Sequence, residues 1–514
     1  MKGIKKSKSG CLVCKRRKKK CDEAKPRCGH CQRLGLECKY GVVLNWVKLQ
    51  LRAQVHASGA QPTSYHLVNA NFTNVGLSYY LLQMSPNCPV RIHNELWTAT
   101  VAEPCIDPRK TSPEYLFNHY VRNMSKSRSF CGSTDTANEF VSIIVPLCQN
   151  FTALNQSVLC YAAIDLLKEE LTSPTPHKDV LQSYYSLYVQ FKDDAINGLH
   201  LILDTCDLSN LEILEELIIT IMILCAAEIA NNTSKNWVNL MKEGFLVFSS
   251  LQMTQILNSK VLTFVYRYFS LRYVLLVCTL KGDILAQLLD SCRWPVIESF
   301  FESDTVDHLF GCSPRLLHTI HRMVVLNHAR ETNAIEESVL VEQYLGIWTT
   351  LSEMKQRTAQ DIAELDMCAA AYLVAAKVYF CMLLLIGNLS FNRNFKRKFI
   401  LLTKHLKELL VELSKVNMKV FFPGWALLVL AACQSCTPEG EEVRQQVMDI
   451  IQTLELKWPL STVAELKDAV QAIWVLYDTN IEEPENLSGA LRLEPNGVDW
   501  RDVICAANYR LPLV

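Results

Sequence analysis

The sequence predicts a small cysteine-rich head joined to a large all-α domain, and three observations support this prediction. Six of the 21 cysteines lie within residues 11–38 in a repeated spacing. From about residue 112 onward, apolar residues recur at helical intervals, and no sustained alternating strand pattern interrupts them. With 49% hydrophobic and 20% charged residues, the chain can bury a large core, which excludes a chain that is disordered throughout.

The charge is distributed unevenly, although the formal net charge of the 514 residues is zero. Residues 1–40 contain fourteen Lys or Arg and three Asp or Glu, so they carry a net charge of +11 and the rest of the chain carries −11. A basic head on an acidic body predicts that the head binds a polyanion and that the body does not.

The cysteines of the head form an internal repeat. A Cys-x2-Cys-x6-Cys spacing occurs twice, seventeen residues apart. Its members are Cys11, Cys14, Cys21, Cys28, Cys31 and Cys38. The basic start of the chain, Met1 to Gly10, lacks the apolar run of a signal peptide, so we expect metal ligands or reduced thiols here and not disulfides.

Six thiolates can bind two Zn2+ ions if two of the thiolates bridge the ions, because each ion takes four ligands tetrahedrally. The symmetry of the repeat predicts Cys11 and Cys28 as the bridges. Cys14 and Cys21 then complete the coordination of one ion, and Cys31 and Cys38 complete that of the other. Two alternatives are scattered structural cysteines and a zinc module that binds protein, although RING and LIM modules use eight ligands with longer spacings.

The two halves of the repeat differ in charge. All six residues between Cys14 and Cys21 are cationic, whereas Gln32 to Glu37 include one cation and one anion. The cationic residues are Lys15, Arg16, Arg17, Lys18, Lys19 and Lys20. Only the first half is therefore suited to contact a polyanion. A nuclear import signal is the simpler interpretation of such a run, and it is compatible with DNA binding.

The complete pattern, with a basic run after the second Cys and Lys-Pro before the fourth, resembles the Zn2Cys6 binuclear cluster of fungal transcription regulators. The resemblance implies that the first and fourth cysteines bridge two zinc ions. It also implies that a short helix enters the DNA major groove and reads CGG-type triplets. The base contacts would come from Arg17 and Lys18, while the other cations would contact phosphates.

Three shorter motifs in the body resemble the fungus-specific regulatory domain. They are Leu224–Ile229 followed by Trp237, Asp307-x-Leu309-x-Gly311, and Phe422-Pro423-Gly424. More narrowly, they are similar to yeast activators of nitrogen and amino-acid pathways, such as the γ-aminobutyrate regulator. Leu240 departs from that pattern, since many relatives have His at this position after the Trp.

Composition divides the chain into three parts. Residues 1–40 form the DNA-binding head, residues 41–111 a linker, and residues 112–514 the all-α regulatory domain. The linker contains one amphipathic segment, Val42 to Val55, which is too short for a stable coiled coil. We therefore expect self-association to be weak, or to depend on the body or on DNA.

Two apolar segments are expected to be buried helices of a soluble protein. Leu211 to Ile229 is apolar on all sides, as in the central helix of a large bundle. Met367 to Gly387 is long enough to span a bilayer, but Lys377 at its centre would cost roughly 2.5–3.5 kcal/mol there. We also assign Cys433-x2-Cys436 to the buried core and His318-x2-His321 to a helix face.

The C-terminal stretch from Ile481 to Asp502 mixes acidic with apolar residues, which is typical of activation segments. Its end, Val498 to Cys505, is equally compatible with a closing helix docked on the body. The chain contains no phosphate-binding loop, dinucleotide motif or nucleophile elbow, so we expect no enzymatic activity.

Together these features predict a nuclear, zinc-dependent regulator of RNA polymerase II transcription that binds double-stranded DNA. We expect it to activate a metabolic pathway, to contact the transcription machinery or coregulators, to respond to a metabolite or protein partner, and to have no membrane partner. The alternative is a zinc-supported protein-binding scaffold or corepressor.

Overall fold

The structure is a computed structural model. It describes residues 14, 21–22, 24, 27–34, 38, 108–127, 138–207, 209–231, 235–292, 294–358, 362–386, 393–416, 422–434, 438–457, 461–479 and 499–513. The segment Val42 to Val55 lies outside them. The described part of the body is helical and contains no strand, only isolated bridges between residues 305 and 357 and between residues 307 and 312. The prediction of an all-α body is confirmed.

Twenty α-helices follow one another in the described residues. The first ten are α1 (Gly29–Arg33), α2 (Pro113–His119), α3 (Glu139–Ser142), α4 (Ile144–Leu147), α5 (Thr152–Leu171), α6 (Lys178–Thr205), α7 (Leu211–Asn231), α8 (Asn236–Phe248), α9 (Met253–Asn258) and α10 (Lys260–Val277). The others are α11 (Gly282–Cys292), α12 (Glu298–Phe301), α13 (Pro314–Glu331), α14 (Glu337–Glu353), α15 (Ala363–Ile386), α16 (Arg393–Lys415), α17 (Gly424–Ala432), α18 (Pro438–Lys457), α19 (Ser461–Thr479) and α20 (Arg501–Ala506).

Helix α2 begins where the sequence predicts the body to begin. The Ser112 hydroxyl accepts a hydrogen bond from the Tyr115 amide at 3.2 Å, and Pro113 occupies the first turn, where its missing N–H costs nothing. A short 3-10 helix, Pro108–Thr111, precedes this cap. This 3-10 helix lies inside the segment that we assigned to the linker.

Helix α7 forms the centre of the body. Its residues from Leu217 to Ala227 are all buried, because α5, α6, α8 and α10 pack around it. The predicted central helix is confirmed. A helix that is apolar on all sides has no solvent-exposed face, so other helices must pack against it on every side.

Helix α15 contains the second long apolar segment. Among the described helices it alone has the length and composition to cross a membrane, but 72% of its most apolar window is buried inside the body. Burial and the charge of Lys398 lower the pKa of Lys377, which lies half-buried on this helix.

The Asp307-x-Leu309-x-Gly311 motif forms a tight turn anchored on α10. Both oxygens of the Asp307 carboxylate accept hydrogen bonds from Arg267, at 2.6 and 2.7 Å. The same carboxylate accepts the Leu309 amide at 2.7 Å, and Gly311 adopts a φ of 71°, which favours glycine. Arg267 also binds Glu139 at 2.7 Å, so this turn, α10 and α3 are tied together.

The C-terminal residues close the body. Trp500 and Ile504 are buried, and the Arg501 guanidinium donates to Asp499 at 2.7 Å and to Glu331 of α13 at 2.6 Å. Helix α20 is thus the docked closing helix expected within residues 498–505. Residues 481–498, the greater part of the suspected activation segment, lie outside the described residues.

Candidate metal centre and nucleic-acid interface

Three sulfurs of the head converge within one small volume. The Sγ atoms of Cys14, Cys28 and Cys31 all lie within 4.8 Å of one another, and those of Cys14 and Cys28 are 3.7 Å apart. Two thiolates that bind one zinc tetrahedrally at about 2.3 Å are about 3.8 Å apart. The donor set therefore fits zinc in both chemistry and spacing.

Cys28 occupies the centre of the sulfur cluster. Besides the group with Cys14 and Cys31, its sulfur also lies within 4.8 Å of the Sγ atom of Cys21. Its side chain is fully buried, and the Cys31 amide donates a hydrogen bond to its sulfur at 3.3 Å. The Cys28 amide in turn donates to the sulfur of Cys38 at 3.3 Å. Such N–H donors orient thiolate ligands and stabilise their charge.

The structure places five of the six predicted ligands in or against this cluster, whereas Cys11 lies outside the described residues. The bridging role of Cys11 therefore stays a prediction. No sulfur outside residues 14–38 belongs to any of the potential metal-binding groups found among the described residues.

Asp22 supports the cluster and was missed by sequence reasoning. Its Oδ2 accepts a hydrogen bond from the Gly29 amide at 2.8 Å, at the start of α1, where a carboxylate also interacts well with the helix dipole. A Cβ atom at position 29 would lie 2.7 Å from this oxygen, so a larger residue there would force the Asp22 carboxylate to move. An acidic residue directly after the third Cys, together with Gly after the fourth, is the signal that could have identified it.

The body cysteines have a different environment. Burial raises the pKa of Cys225 and of Cys148 to about 12, so both remain neutral thiols at physiological pH. Burial likewise raises the pKa of Cys433 to about 12, and its sulfur donates to the Leu430 carbonyl at 3.1 Å. Cys433 was predicted to lie in the buried core; it is only partly buried, and it packs against that core. Cys436 lies outside the described residues.

The histidine pair lies on α13, as the helix-face interpretation requires. The His321 ring packs 4.6 Å from the ring of Trp294, and the His318 ring packs 5.3 Å from that of Phe301. Burial and the charge of His318 lower the pKa of His321 to about 3, so this imidazole stays neutral.

The cationic run Lys15, Arg16, Arg17, Lys18, Lys19 and Lys20 lies outside the described residues, so its DNA contacts stay predictions. In the second half of the repeat, Arg33 on α1 contacts His30 at 3.1 Å, between Arg Nη2 and His Nδ1. The exposed Leu34 follows this helix. An apolar residue there is consistent with the expectation that this half does not face a polyanion.

Two family models match the chain. The model of the fungal Zn(2)-Cys(6) binuclear cluster domain matches residues 9–46, and that of the fungal specific transcription factor domain matches residues 115–514. The second match covers more than half of the chain. The chain belongs to the fungal-specific transcription factor family. The family resemblance of the head and of the body is thereby confirmed, and the cluster domain implies that its cysteines bind zinc.

Curated relatives match the chain over short segments. The chain is 60% identical over 35 residues to Sterol uptake control protein 2 of Saccharomyces cerevisiae, which covers 7% of this chain and 4% of that protein. It is 56% identical over 36 residues to a Zn(2)-C6 fungal-type transcription factor of Gibberella zeae, 7% of each chain. With Transcriptional regulatory protein pro1 of Neurospora crassa, it is 28% identical over 125 residues, 24% of this chain and 17% of that protein.

The matched segments thus span less than a fifth of each of these relatives. No solved structure matches the chain significantly.

Proposed function

We propose that this chain is a nuclear, sequence-specific DNA-binding regulator of RNA polymerase II transcription whose head holds two zinc ions. The observation that carries the proposal is the convergence of Cys14, Cys21 and Cys31 around the fully buried sulfur of Cys28, inside a segment that matches a binuclear cluster domain. Cys28 and Cys11 are the proposed bridging ligands. Each would serve both ions, while Cys14 and Cys21 complete one ion and Cys31 and Cys38 the other.

The proposed organisation has three parts: a head of residues 1–40, a linker of residues 41–111 and a regulatory body of residues 112–514. Zinc supplies no redox chemistry here and only cross-links the head, because a module of about thirty residues cannot build a hydrophobic core of its own. The basic run after Cys14 then supplies the DNA-binding face.

Within that run, Arg17 and Lys18 are the proposed readers of a CGG-type triplet, since Arg and Lys donate well to O6 and N7 of guanine. Lys15, Arg16, Lys19 and Lys20 are assigned to phosphates, which adds affinity that falls steeply with salt. The body is proposed to act as an activator that responds to a metabolite or protein partner of a metabolic pathway.

Fluorescence anisotropy with the zinc-loaded full chain tests this assignment on a CGG duplex and a scrambled duplex. Arg17→Ala or Lys18→Ala should weaken binding to CGG by roughly 1–3 kcal/mol more than binding to the scrambled duplex. The matched variant Lys20→Ala should weaken both duplexes equally and reduce the salt slope by about one unit.

Zinc content per chain controls for folding of the head, since none of these substitutions removes a ligand. If the wild-type chain binds both duplexes equally, sequence reading by this head is refuted and the protein-binding alternative gains support. If Lys18→Ala weakens both duplexes equally, Lys18 belongs with the phosphate contacts.

A further inference from the structure

A surface of the body carries exposed aliphatic side chains that do not pack in its core. On α14, Val341 and Leu345 are 46% and 62% exposed, and on α16, Leu401 is 66% exposed. Side chains of this size and exposure, when they cluster, mark interaction surfaces.

These residues share one face. The Nζ atom of Lys398 on α16 lies 4.4 Å from the ring centroid of Trp348 on α14, so the two helices approach each other here. Both helices also pack against α15. Val341 and Leu345 precede Trp348 by seven and three residues, and Leu401 follows Lys398 by three. Residues at these intervals lie on the same flank of a helix, so the exposed apolar residues border the contact between α14 and α16.

The two helices carry opposite charges on this face. Glu337 lies one turn before Val341, and Glu342 is exposed beside it. On α16, Arg397 and Lys404 lie on either side of Leu401, and both are exposed. Within the described part of the chain, none of these four charged groups has an ion-pair partner. The face therefore has an acidic, apolar half and a basic, apolar half.

A face divided in this way is complementary to itself. Rotation of a second copy by 180° about an axis between α14 and α16 places the acidic half of each copy against the basic half of the other. This is the requirement for an isologous twofold interface. An α14-to-α14 contact would instead oppose like charges.

We infer that this face, defined by α14 and α16, forms a homodimer in which α14 of one copy packs against α16 of the other. Leu345 and Val341 then lie near the partner's Leu401. The carboxylates at positions 337 and 342 lie near the guanidinium and ammonium groups at positions 397 and 404. The inference concerns the body and does not rest on DNA reading by the head.

Sedimentation velocity of the full chain without DNA provides the test, using two charge-reversed variants. Arg397→Glu with Lys404→Glu reverses α16, and Glu337→Lys with Glu342→Lys reverses α14. The wild-type chain should dimerise, and each variant alone should have a dissociation constant at least about tenfold higher, because both contacts become repulsive.

The mixture of the two variants distinguishes this dimer from all others. In the mixed dimer, both α14-to-α16 contacts are again complementary, so an equimolar mixture should sediment as a dimer of near wild-type affinity. The matched control, Lys126→Glu with Lys260→Glu, changes the net charge of the chain by as much as the α16 variant does and should leave the dimer intact. Both control positions are exposed and lie on neither helix.

Each contrary outcome overturns the inference. A wild-type chain that remains monomeric at roughly 100 µM shows that the face serves another partner or none. A dimer that survives both reversals uses a different surface, such as the linker. Loss of dimer in both variants without recovery on mixing excludes the twofold arrangement of α14 against α16.

Discussion

The head and the body are stabilised in different ways. In the described part of the head, the buried cluster consists of Cys14, Cys21, Cys28 and Cys31, with Cys38 packed against it. The body instead buries large side chains, among them Trp237, Trp425 and Trp500, in one continuous apolar core. Burial of apolar area stabilises the body without a ligand, whereas a cluster of sulfurs gains its stability from the metal. The head and the body should therefore unfold independently of each other.

Loss of the central sulfur of the head should unfold the head and leave the body folded. In Cys28→Ser, both zinc ions should be lost, because the sulfur of Cys28 lies within 4.8 Å of the sulfurs of Cys14, Cys21 and Cys31. Elemental analysis should return close to no zinc per chain, while the helical circular dichroism of the body is unchanged.

The matched control for Cys28→Ser is Cys206→Ser, which alters an exposed cysteine of the body and should keep two zinc ions. A Cys28→Ser chain that retains two zinc ions would refute the central role of this sulfur.

A substitution in the body should lower the stability of the body and leave the zinc content of the head unchanged. In Arg267→Leu, the carboxylates of Glu139 and Asp307 lose their buried partner. The free energy of unfolding of the body should fall by about 3–5 kcal/mol, measured by urea denaturation, with zinc content unchanged.

Arg315→Leu is the control for this effect. Arg315 pairs with Asp304 at 3.1 Å, but its side chain is 45% exposed, so the loss should be about 1 kcal/mol or less. Equal losses in the two variants would show that burial of the Arg267 cluster does not set its contribution.

A third substitution should stabilise the body. Lys168 on α5 is 5% exposed, and burial lowers its pKa from 10.5 to about 8. Below pH 8 the folded protein therefore bears the cost of a buried charge. This cost declines between pH 8 and 10.5, where the unfolded chain holds the proton more tightly, so stability rises with pH across that window.

Lys168→Met should raise the free energy of unfolding at pH 7 by up to about 3 kcal/mol and abolish the rise between pH 8 and 10.5. Urea denaturation at several pH values measures both effects. The control Lys192→Met should destabilise the protein, because Lys192 pairs with the buried Glu228. A Lys168→Met chain that is less stable at pH 7 would contradict the assignment.

The sequence predicted local features better than distant pairings. The cysteine spacing predicted that Cys28 and Cys31 lie together, because a Cys-x2-Cys pair fits one tight turn, and the structure brings their sulfurs within 4.8 Å of each other. The helical pattern from about residue 112 likewise agrees with the start of α2 at Pro113. The pairing of Arg267 with Glu139 was not predictable, because 128 residues separate them and only tertiary packing brings them together. The Asp22 contact was missed for a different reason, since hydrogen bonds to backbone amides leave little trace in residue spacing.

Hydrogen–deuterium exchange of the zinc-loaded full chain, before and after addition of a chelator, measures whether the head depends on zinc while the body does not. We predict that the amides of residues 28–34 lose their protection when zinc is removed, while those of α7 exchange as slowly as before. Protection of the head that persists without zinc would contradict a metal-dependent head. Loss of protection in α7 would contradict an independent body.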